Sequence, residues 1–295
     1  MGCCIHFAAM PPVERLGRLF FALALVGFGL ENIVFGHYVV ARAAPWPADP
    51  AQQHLTAYVT GVLFVACGGA ILAGRWTREA ALQAAVLILG WSLCLHWPKA
   101  IAGPTFSGDW TNALKAVVLA AGGGLVALRT GEPASPLLSG LGRVAPHACA
   151  PFFLLAGLQH ILFAQFVETL VPPFIPFARF WTYAAAGALL AAGFGLLAPP
   201  VRRLAALLTG WMVFSWVFLV HVPLVFRIGP LEWQGVFEAL GISGVCFLLA
   251  DADRSSLGWS DPCQGMSALD RRDATARDAP SSLSATSASI RPTPR

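Results

Sequence analysis

The sequence predicts an all-α membrane protein that crosses the bilayer eight times, as two tandem four-helix repeats. The chain is 57% hydrophobic and only 12% charged, whereas a soluble domain has about 25% charged residues. Short motifs also recur, because Gly29–Asn32 (Gly-Leu-Glu-Asn) returns as Gly157–His160 (Gly-Leu-Gln-His), and His96–Pro98 returns as His221–Pro223. A soluble protein with eight buried helices is excluded, since too few polar residues remain to form solvated faces.

Eight long apolar segments are the predicted membrane spans. Most approach the length of about 20 residues that crosses a hydrocarbon core of about 30 Å. The two shortest reach that length when Trp110 and Trp233, at their starts, are included. The segments are Leu16–Phe35, Leu55–Gly74, Ala80–Trp97, Leu114–Leu128, Phe152–Leu170, Phe177–Ala198, Leu204–Phe226 and Gly235–Ala250.

The repeat continues through all four spans of each half. The further aligned pairs are Gly61 with Gly187, Gly69 with Gly195, Trp91 with Trp216, and Trp110 with Trp233. Because each half has an even number of spans, both halves enter the membrane from the same side. We therefore expect a parallel repeat, whose symmetry axis runs along the membrane normal. Glycines in the spans are expected to be sites of close helix contact.

The positive charges predict the orientation. Lys and Arg are in excess in the cytoplasmic loops of membrane proteins. The richer set of connections contains Arg15, Arg18, Arg75, Arg78, Arg129, Arg143, Arg202, Arg203 and Arg254, and the poorer set contains Arg42, Lys99, Arg179 and Arg227. We therefore expect a multi-pass protein of the bacterial inner (plasma) membrane with both termini cytoplasmic. Its partner is the lipid bilayer, and the net charge of +4 gives no argument for nucleic acid.

The predicted domain boundaries follow from the spans and from a change of composition after Ala250. The last part of the chain is rich in Ser, Ala, Asp, Arg and Pro, so it lacks the apolar surface that folding requires. The predicted regions are a cytoplasmic N-terminus (1–14), the first repeat (15–130), a cytoplasmic linker (131–143), the second repeat (144–250) and a disordered cytoplasmic tail (251–295).

The seven cysteines predict neither a metal site nor a disulfide framework. No Cys-x-x-Cys spacing occurs, and Cys67, Cys94 and Cys246 lie inside apolar spans. We expect these three to act as small packing residues.

Polar residues within the spans are the candidate site. A charge at mid-bilayer costs roughly 2.5–3.5 kcal/mol, so each needs a partner or a purpose. Glu31, His96 and Lys115 are expected at similar depth in the outer half of the membrane, where a Glu–Lys pair beside a histidine would form a polar pocket. The corresponding residues of the second half are Gln159, His160, His221 and Glu238. Two alternatives stay open: interhelical hydrogen bonds that lock the bundle, and snorkelling of Glu31 and Lys115 to the interface.

These residues carry a resemblance to the DoxX-like membrane proteins, which are four-helix bacterial units. The run Phe166–Leu197 resembles that family, as do the His-x-Pro motifs after the third span of each half. The segment Ala113–Gly123 is similar to the family's Ala-Leu-Arg-Asp-Leu-Ala-x-Ala-Gly-Gly motif. The family's Gly-x-Glu-His is split between the halves, because Glu31 precedes Asn32 and Gln159 precedes His160. Lys115 replaces the family's Arg, and Glu238 replaces it in the second half.

The resemblance implies a membrane-integral accessory or quinone-pocket subunit of a redox or thiol-stress system. A redox-enzyme partner subunit is implied with it, and a quinone is the cofactor that it suggests. On this interpretation the histidines exchange protons and Lys115 holds an anionic oxygen. The competing classes are a small-molecule or lipid transporter and a non-catalytic membrane scaffold. Haem held by His96 and His221 is disfavoured, since hydrogen bonding explains the two histidines equally well.

Overall fold

The computed structural model describes residues 12–36, 49–130 and 135–256, and these residues form helices joined by short connections, without a β-strand. Eight helices are long and apolar enough to cross a membrane, as predicted. In chain order the helices are α1 (Pro12–Phe35), α2 (Pro50–Ala73), α3 (Thr77–Ala102), α4 (Gly108–Leu128), α5 (Pro136–Leu162), the short α6 (Ala164–Leu170), α7 (Ala178–Leu197), α8 (Arg202–Ile228) and α9 (Trp233–Ser256).

The sequence encodes several of the helix ends directly. The Asp49 carboxylate accepts a hydrogen bond of 2.9 Å from the backbone N–H of Gln52, and Pro50 follows at the first helical position. Gly74 ends α2 in the left-handed conformation, which glycine adopts without strain. The Ser135 hydroxyl caps α5 in the same way as Asp49 caps α2. Each cap satisfies backbone groups that a helix end leaves without partners.

The fifth span differs from its predicted bounds. We expected Phe152–Leu170, but α5 begins at Pro136, and part of the predicted linker 131–143 is therefore helical. Pro146 and Pro151 lie inside α5 without ending it. The helix stops at Phe163, whose backbone leaves the helical conformation, and the remaining residues form α6. The apolar pattern of the sequence does not show that α5 begins at Pro136, because the two prolines and Arg143 interrupt the apolar run.

A π-helical turn interrupts α3 and α8 at corresponding places, Ser92–His96 and Val217–His221. The N–H of Trp97 donates to the carbonyl of Ser92, five residues back, and the N–H of Val222 donates to Val217. A proline follows each turn, at 98 and 223. Proline lacks an N–H and clashes with the carbonyl four residues earlier, so the wider turn accommodates it. Both turns end on a histidine.

Glycines bring neighbouring helices into close contact in both halves. A β-carbon placed on Gly29 of α1 would lie 2.4 Å from the carbonyl oxygen of Gly61 in α2. A β-carbon on Gly157 of α5 would lie 2.9 Å from the carbonyl oxygen of Ala186 in α7. These approaches bring backbone against backbone, as small residues do in membrane bundles. Gly61 and Ala186 therefore make matching contacts, whereas the sequence alignment paired Gly61 with Gly187, one residue later.

A second contact has the same one-residue offset from the predicted alignment. Gly68 approaches Val26 of α1, and Gly193 approaches Leu154 of α5. Gly69 and Gly124, expected in close contacts, instead face open space, since no neighbouring atom lies within 4 Å of a β-carbon placed there.

Helices α4 and α9 meet at glycines. A β-carbon on Gly122 would lie 2.4 Å from a methyl carbon of Val245, and one on Gly241 would lie 2.8 Å from a methyl carbon of Leu119. Helix α9 also packs on α1, where Gly17 and Gly244 approach each other's carbonyl oxygens. Helix α9 therefore closes the bundle between the first and fourth helices.

Charged residues join α1, α4 and α9 at the end of the bundle where α4 finishes. The Arg129 guanidinium forms an ion pair with Asp251 and lies 3.9 Å from the Glu14 carboxylate. Glu14 also accepts a hydrogen bond of 3.1 Å from Arg18, which is only 2% exposed. The opposed charges neutralise one another, which is what buried ion pairs require.

Outward-facing surfaces of the long helices are apolar, with half or more exposed side chains such as Val62, Val86 and Phe194. This is the expected surface of a helix that faces lipid. Helix α9 continues to Ser256, so Asp251–Ser256, assigned to the disordered tail, are helical. The rest of the tail, residues 1–11 of the N-terminus, and Arg42 lie outside the described residues.

Candidate functional site

A cavity of about 80 Å³ with a mostly apolar wall lies between α1, α2, α3, α4 and α9, where α1 ends and α4 begins. One buried water needs only about 10–15 Å³ on the same kind of measure, so the cavity has room for several waters or a small ring. Aromatic and aliphatic side chains alternate with hydrogen-bonding ones in its wall. The lining residues are Phe28, Asn32, Thr60, Phe64, Ile88, Trp91, Leu95, His96, Asn112, Lys115, Ala116, Leu119, Gln234 and Glu238.

An ion pair between the two halves of the chain forms part of the cavity wall. The Lys115 Nζ atom lies 2.5 Å from Oε2 of Glu238, and the Gln234 side-chain amide donates to the other carboxylate oxygen at 3.0 Å. The side chains of Lys115 and Glu238 are 12% and 17% exposed. This geometry excludes snorkelling of Lys115 to the interface, because its ammonium group is occupied inside the bundle.

His96 lies in the same wall, at the end of the π-helical turn of α3, and is 6% exposed. The charges of Lys115 and Glu238 both act on its imidazole. The hydroxyl of Ser92, at the start of that turn, donates to the carbonyl of Ala113 at 3.1 Å and fixes α3 against α4. The turn and this bond together set the position of the imidazole in the cavity wall.

Glu31 is separate from the ion pair that we expected it to form. It is 5% exposed, and among the described residues neither carboxyl oxygen has a hydrogen-bond partner. The Glu238 carboxylate is close enough to act on it electrostatically. Lys115 pairs with Glu238 instead, so Glu31 lies beside the cavity without a cation among the described residues.

The aligned residue of the second half, Gln159, is fully satisfied. Its amide oxygen accepts a hydrogen bond of 2.5 Å from the Thr111 hydroxyl. Its amide nitrogen donates to the carbonyl oxygens of Phe106 and Ser107, at 2.8 and 2.9 Å. Gln159 therefore ties α5 to the start of α4 and takes no part in the cavity.

His160 and His221 do not share a cavity with Glu238. The His160 ring stacks on Trp216, with centroids 6.4 Å apart, and its Nδ1 donates to the carbonyl of Ala156 at 2.7 Å. The His221 ring packs on Gly235 of α9. The residues aligned with His160 and Trp216 are Asn32 and Trp91, which both line the cavity. His160 and Trp216 themselves are not among the residues that line the cavity.

The structure thus brings together His96, Lys115 and Glu238 of the seven candidate residues, with Glu31 adjacent. It replaces two separate half-sites with one cavity that uses residues of both halves. Sequence reasoning missed Asn32, Thr60, Asn112 and Gln234. Two of these were detectable, since Asn112 and Gln234 stand three and four residues before the charged positions of their helices, on the same helix face.

The described residues contain no group of three or more His, Cys, Asp or Glu side chains that could hold a metal ion. Comparison with protein families finds one match: residues 149–241 are similar to a domain of unknown function (DUF8561). This match covers α6, α7 and α8 with parts of α5 and α9, about a third of the chain. No curated protein and no solved structure matches the chain.

Proposed function

We propose that the protein is a quinone-binding membrane subunit of a redox system, and that the cavity receives the quinone head group. The observation that carries the proposal is the composition of the cavity wall. Phe28, Phe64 and Trp91 offer faces for a flat ring, and His96 and Asn112 offer donors for ring oxygens. Small-molecule sites combine apolar walls with a few convergent polar groups in this way.

The Lys115–Glu238 pair fits this role because it places a positive ammonium group beside the ring, while the carboxylate partner keeps the pair neutral overall. An ammonium at 2.5 Å from its carboxylate can turn part of its hydrogen bonding toward a reduced, anionic ring oxygen. His96 provides a proton donor and acceptor in the same wall. The catalytic chemistry belongs to a partner enzyme subunit, as the resemblance to DoxX-like proteins implies.

The arrangement proposed for the chain is a parallel repeat in which α1–α4 correspond to α5 and α7–α9. The matching π-helical turns and the matching contacts of Gly29 and Gly157 support it. The seam between α4 and α9 supports it as well, since the aligned pairs Lys115/Glu238 and Gly122/Val245 touch directly. The proposed setting is the bacterial inner membrane with both termini cytoplasmic, which places the cavity in the outer leaflet.

Quinone binding is tested with the purified full-length protein in detergent. Organic extraction followed by chromatography should recover native quinone from the wild type. A short-chain quinone should bind the His96→Ala variant at least tenfold more weakly, a loss of about 1.4 kcal/mol. His160→Ala is the matched control, because this histidine lies outside the cavity and should leave affinity unchanged. Failure of the wild type to retain or bind any quinone overturns the proposal.

Transport of a small molecule or lipid is the second candidate, favoured by one observation. Ion pairs join α4 and α9 near both ends, Lys115–Glu238 at one end and Arg129–Asp251 at the other. Such pairs can open alternately in a protein built of two halves. A cysteine at Asn112, in a variant without the native cysteines, discriminates the two. Impermeant reagents should label it from one side of the membrane in a binding subunit and from both sides in a transporter.

A further inference from the structure

Glu31 is a buried ionisable residue that the proposed site does not use. Its side chain is inside the bundle and, within the described part of the chain, both carboxyl oxygens lack hydrogen bonds. An isolated carboxylate in such surroundings is far less stable than a neutral acid, because burial removes a charge from water without a hydrogen-bonded partner to compensate it. The group therefore needs a bound positive charge.

The charged groups around Glu31 do not supply that charge. From α9, Glu238 acts on it with the same sign, and the ammonium of Lys115 in α4 is bound to Glu238 at 2.5 Å. His96 of α3 shares the cavity wall with these two residues. Counting one lysine against two carboxylates, the cluster is one positive charge short when His96 is neutral.

The surroundings of Glu31 favour a proton as that positive charge. A proton binds to one carboxyl oxygen and needs no further ligand, so it suits a carboxyl group whose oxygens have no hydrogen-bond partner among the described residues. A metal cation such as Ca²⁺ needs several oxygen ligands, and the described residues contain no group of three or more His, Cys, Asp or Glu side chains that could hold one.

We propose that Glu31 is a proton-binding site beside the cavity: the folded protein holds one exchangeable proton on this carboxyl group, and the proton is available to a ligand in the cavity. The second clause rests on the proposed function, and the first does not. The proton neutralises the cluster when the cavity is empty. Its release would compensate a positive charge brought by a ligand, and its transfer would neutralise a negative one.

Infrared spectroscopy of the purified full-length protein, without added ligand, tests the proton site. The wild type at neutral pH should show the C=O stretching band of a protonated carboxylic acid. The band should shift in D₂O and be lost in Glu31→Gln. It should persist in Glu79→Gln, a control carboxylate that is exposed at the start of α3. A wild type without this band, or a band that survives in Glu31→Gln, overturns the proposal.

Thermal unfolding gives a second readout that does not depend on band assignment. Glutamine has the shape of a protonated glutamic acid, so Glu31→Gln should unfold within about 2 °C of the wild type, a shift that corresponds to less than about 1 kcal/mol. A large loss of stability, or stabilisation of the wild type by NaCl over choline chloride that Glu31→Gln abolishes, would indicate a metal cation and contradict the proton.

Adding a short-chain quinone separates the two clauses. A band that is present without ligand and changes on quinone binding supports both. A band that is present but insensitive to a bound quinone contradicts the second clause alone. Absence of quinone binding refutes the proposed function and leaves the proton site established by the ligand-free spectrum.

Discussion

The ammonium group of Lys115 and the carboxylate of Glu238 form an ion pair of 2.5 Å between α4 and α9, at positions that the proposed repeat aligns. The side chains are largely buried, and Gln234 binds the second carboxylate oxygen. The contact therefore joins the two halves and shapes the cavity at once. Breaking it by removing one partner leaves a buried charge uncompensated, which is the costly change for such a pair.

Removing either partner should destabilise the protein. We expect Glu238→Gln and Lys115→Gln each to lose about 3 kcal/mol in the free energy of unfolding. The double reversal Lys115→Glu with Glu238→Lys should recover most of that loss. Thermal unfolding in detergent measures the effect. Arg179→Gln is the control, since Arg179 is exposed and its ion pair with Glu168 is screened by solvent. Equal effects for Glu238→Gln and Arg179→Gln would contradict the prediction.

Adding a methyl group at the close helix contacts should also destabilise the bundle. A β-carbon on Gly29 or Gly157 would overlap a backbone carbonyl oxygen of the next helix, so alanine at either position should cost about 1–3 kcal/mol. Gly69→Ala and Gly124→Ala are matched controls, because both glycines face open space. The controls should be neutral or slightly stabilising, since alanine favours a helix over glycine by about 0.5–1 kcal/mol. The same unfolding assay ranks the four variants, and an inverted order would refute the packing.

The ion pairs of Arg129 are expected to hold α4 against α9 and α1. Arg129→Gln removes the partner of Asp251 and a neighbour of Glu14, and should lose about 2 kcal/mol of stability. Arg75→Gln is the control, because Arg75 is exposed and lies over the Trp76 ring. Higher salt should weaken the wild type little, since buried pairs are screened less than surface ones. A salt sensitivity as large as that of surface pairs would place Arg129 outside the bundle.

The orientation is tested by epitope tags in otherwise complete chains. A tag inserted at Pro104, between α3 and α4, should react with antibody on intact spheroplasts. A tag at the C-terminus should react only after the membrane is permeabilised. This pattern follows from the excess of arginine at the opposite end of the helices. The reverse pattern would place the cavity in the inner leaflet.

The sequence predicted the helical membrane fold well, because apolar length alone identifies a helix that can cross a bilayer. The fifth span was displaced, since Pro146, Pro151 and Arg143 interrupt the apolar run of a helix that nevertheless begins at Pro136. Pairing of the charges was not predictable in the same way. Glu31 and Lys115 were expected to pair because they lie at similar depth in the outer half of the membrane, whereas the packing of α9 brings Glu238 to Lys115.

The same limit applies to the uncharged part of the site. Asn32, Asn112 and Gln234 line the cavity, but their contribution depends on how the helices are rotated about their axes. Spacing within one helix can identify residues on a common face, and it cannot identify which face meets a cavity. His160 illustrates this, since stacking on Trp216 removes it from the site that its motif suggested.

The direct contact between residues 115 and 238 has an evolutionary consequence under the proposed repeat. If a single four-helix unit assembled as a symmetric dimer, the residue at this position would meet an identical copy of itself, and a charged one would repel its mate. Linking the units into one polypeptide allows the two copies to mutate independently, so that one became lysine and the other glutamate. A salt bridge on the dyad is available only after the two copies have diverged, so that neither unit could form the same contact with a second copy of itself.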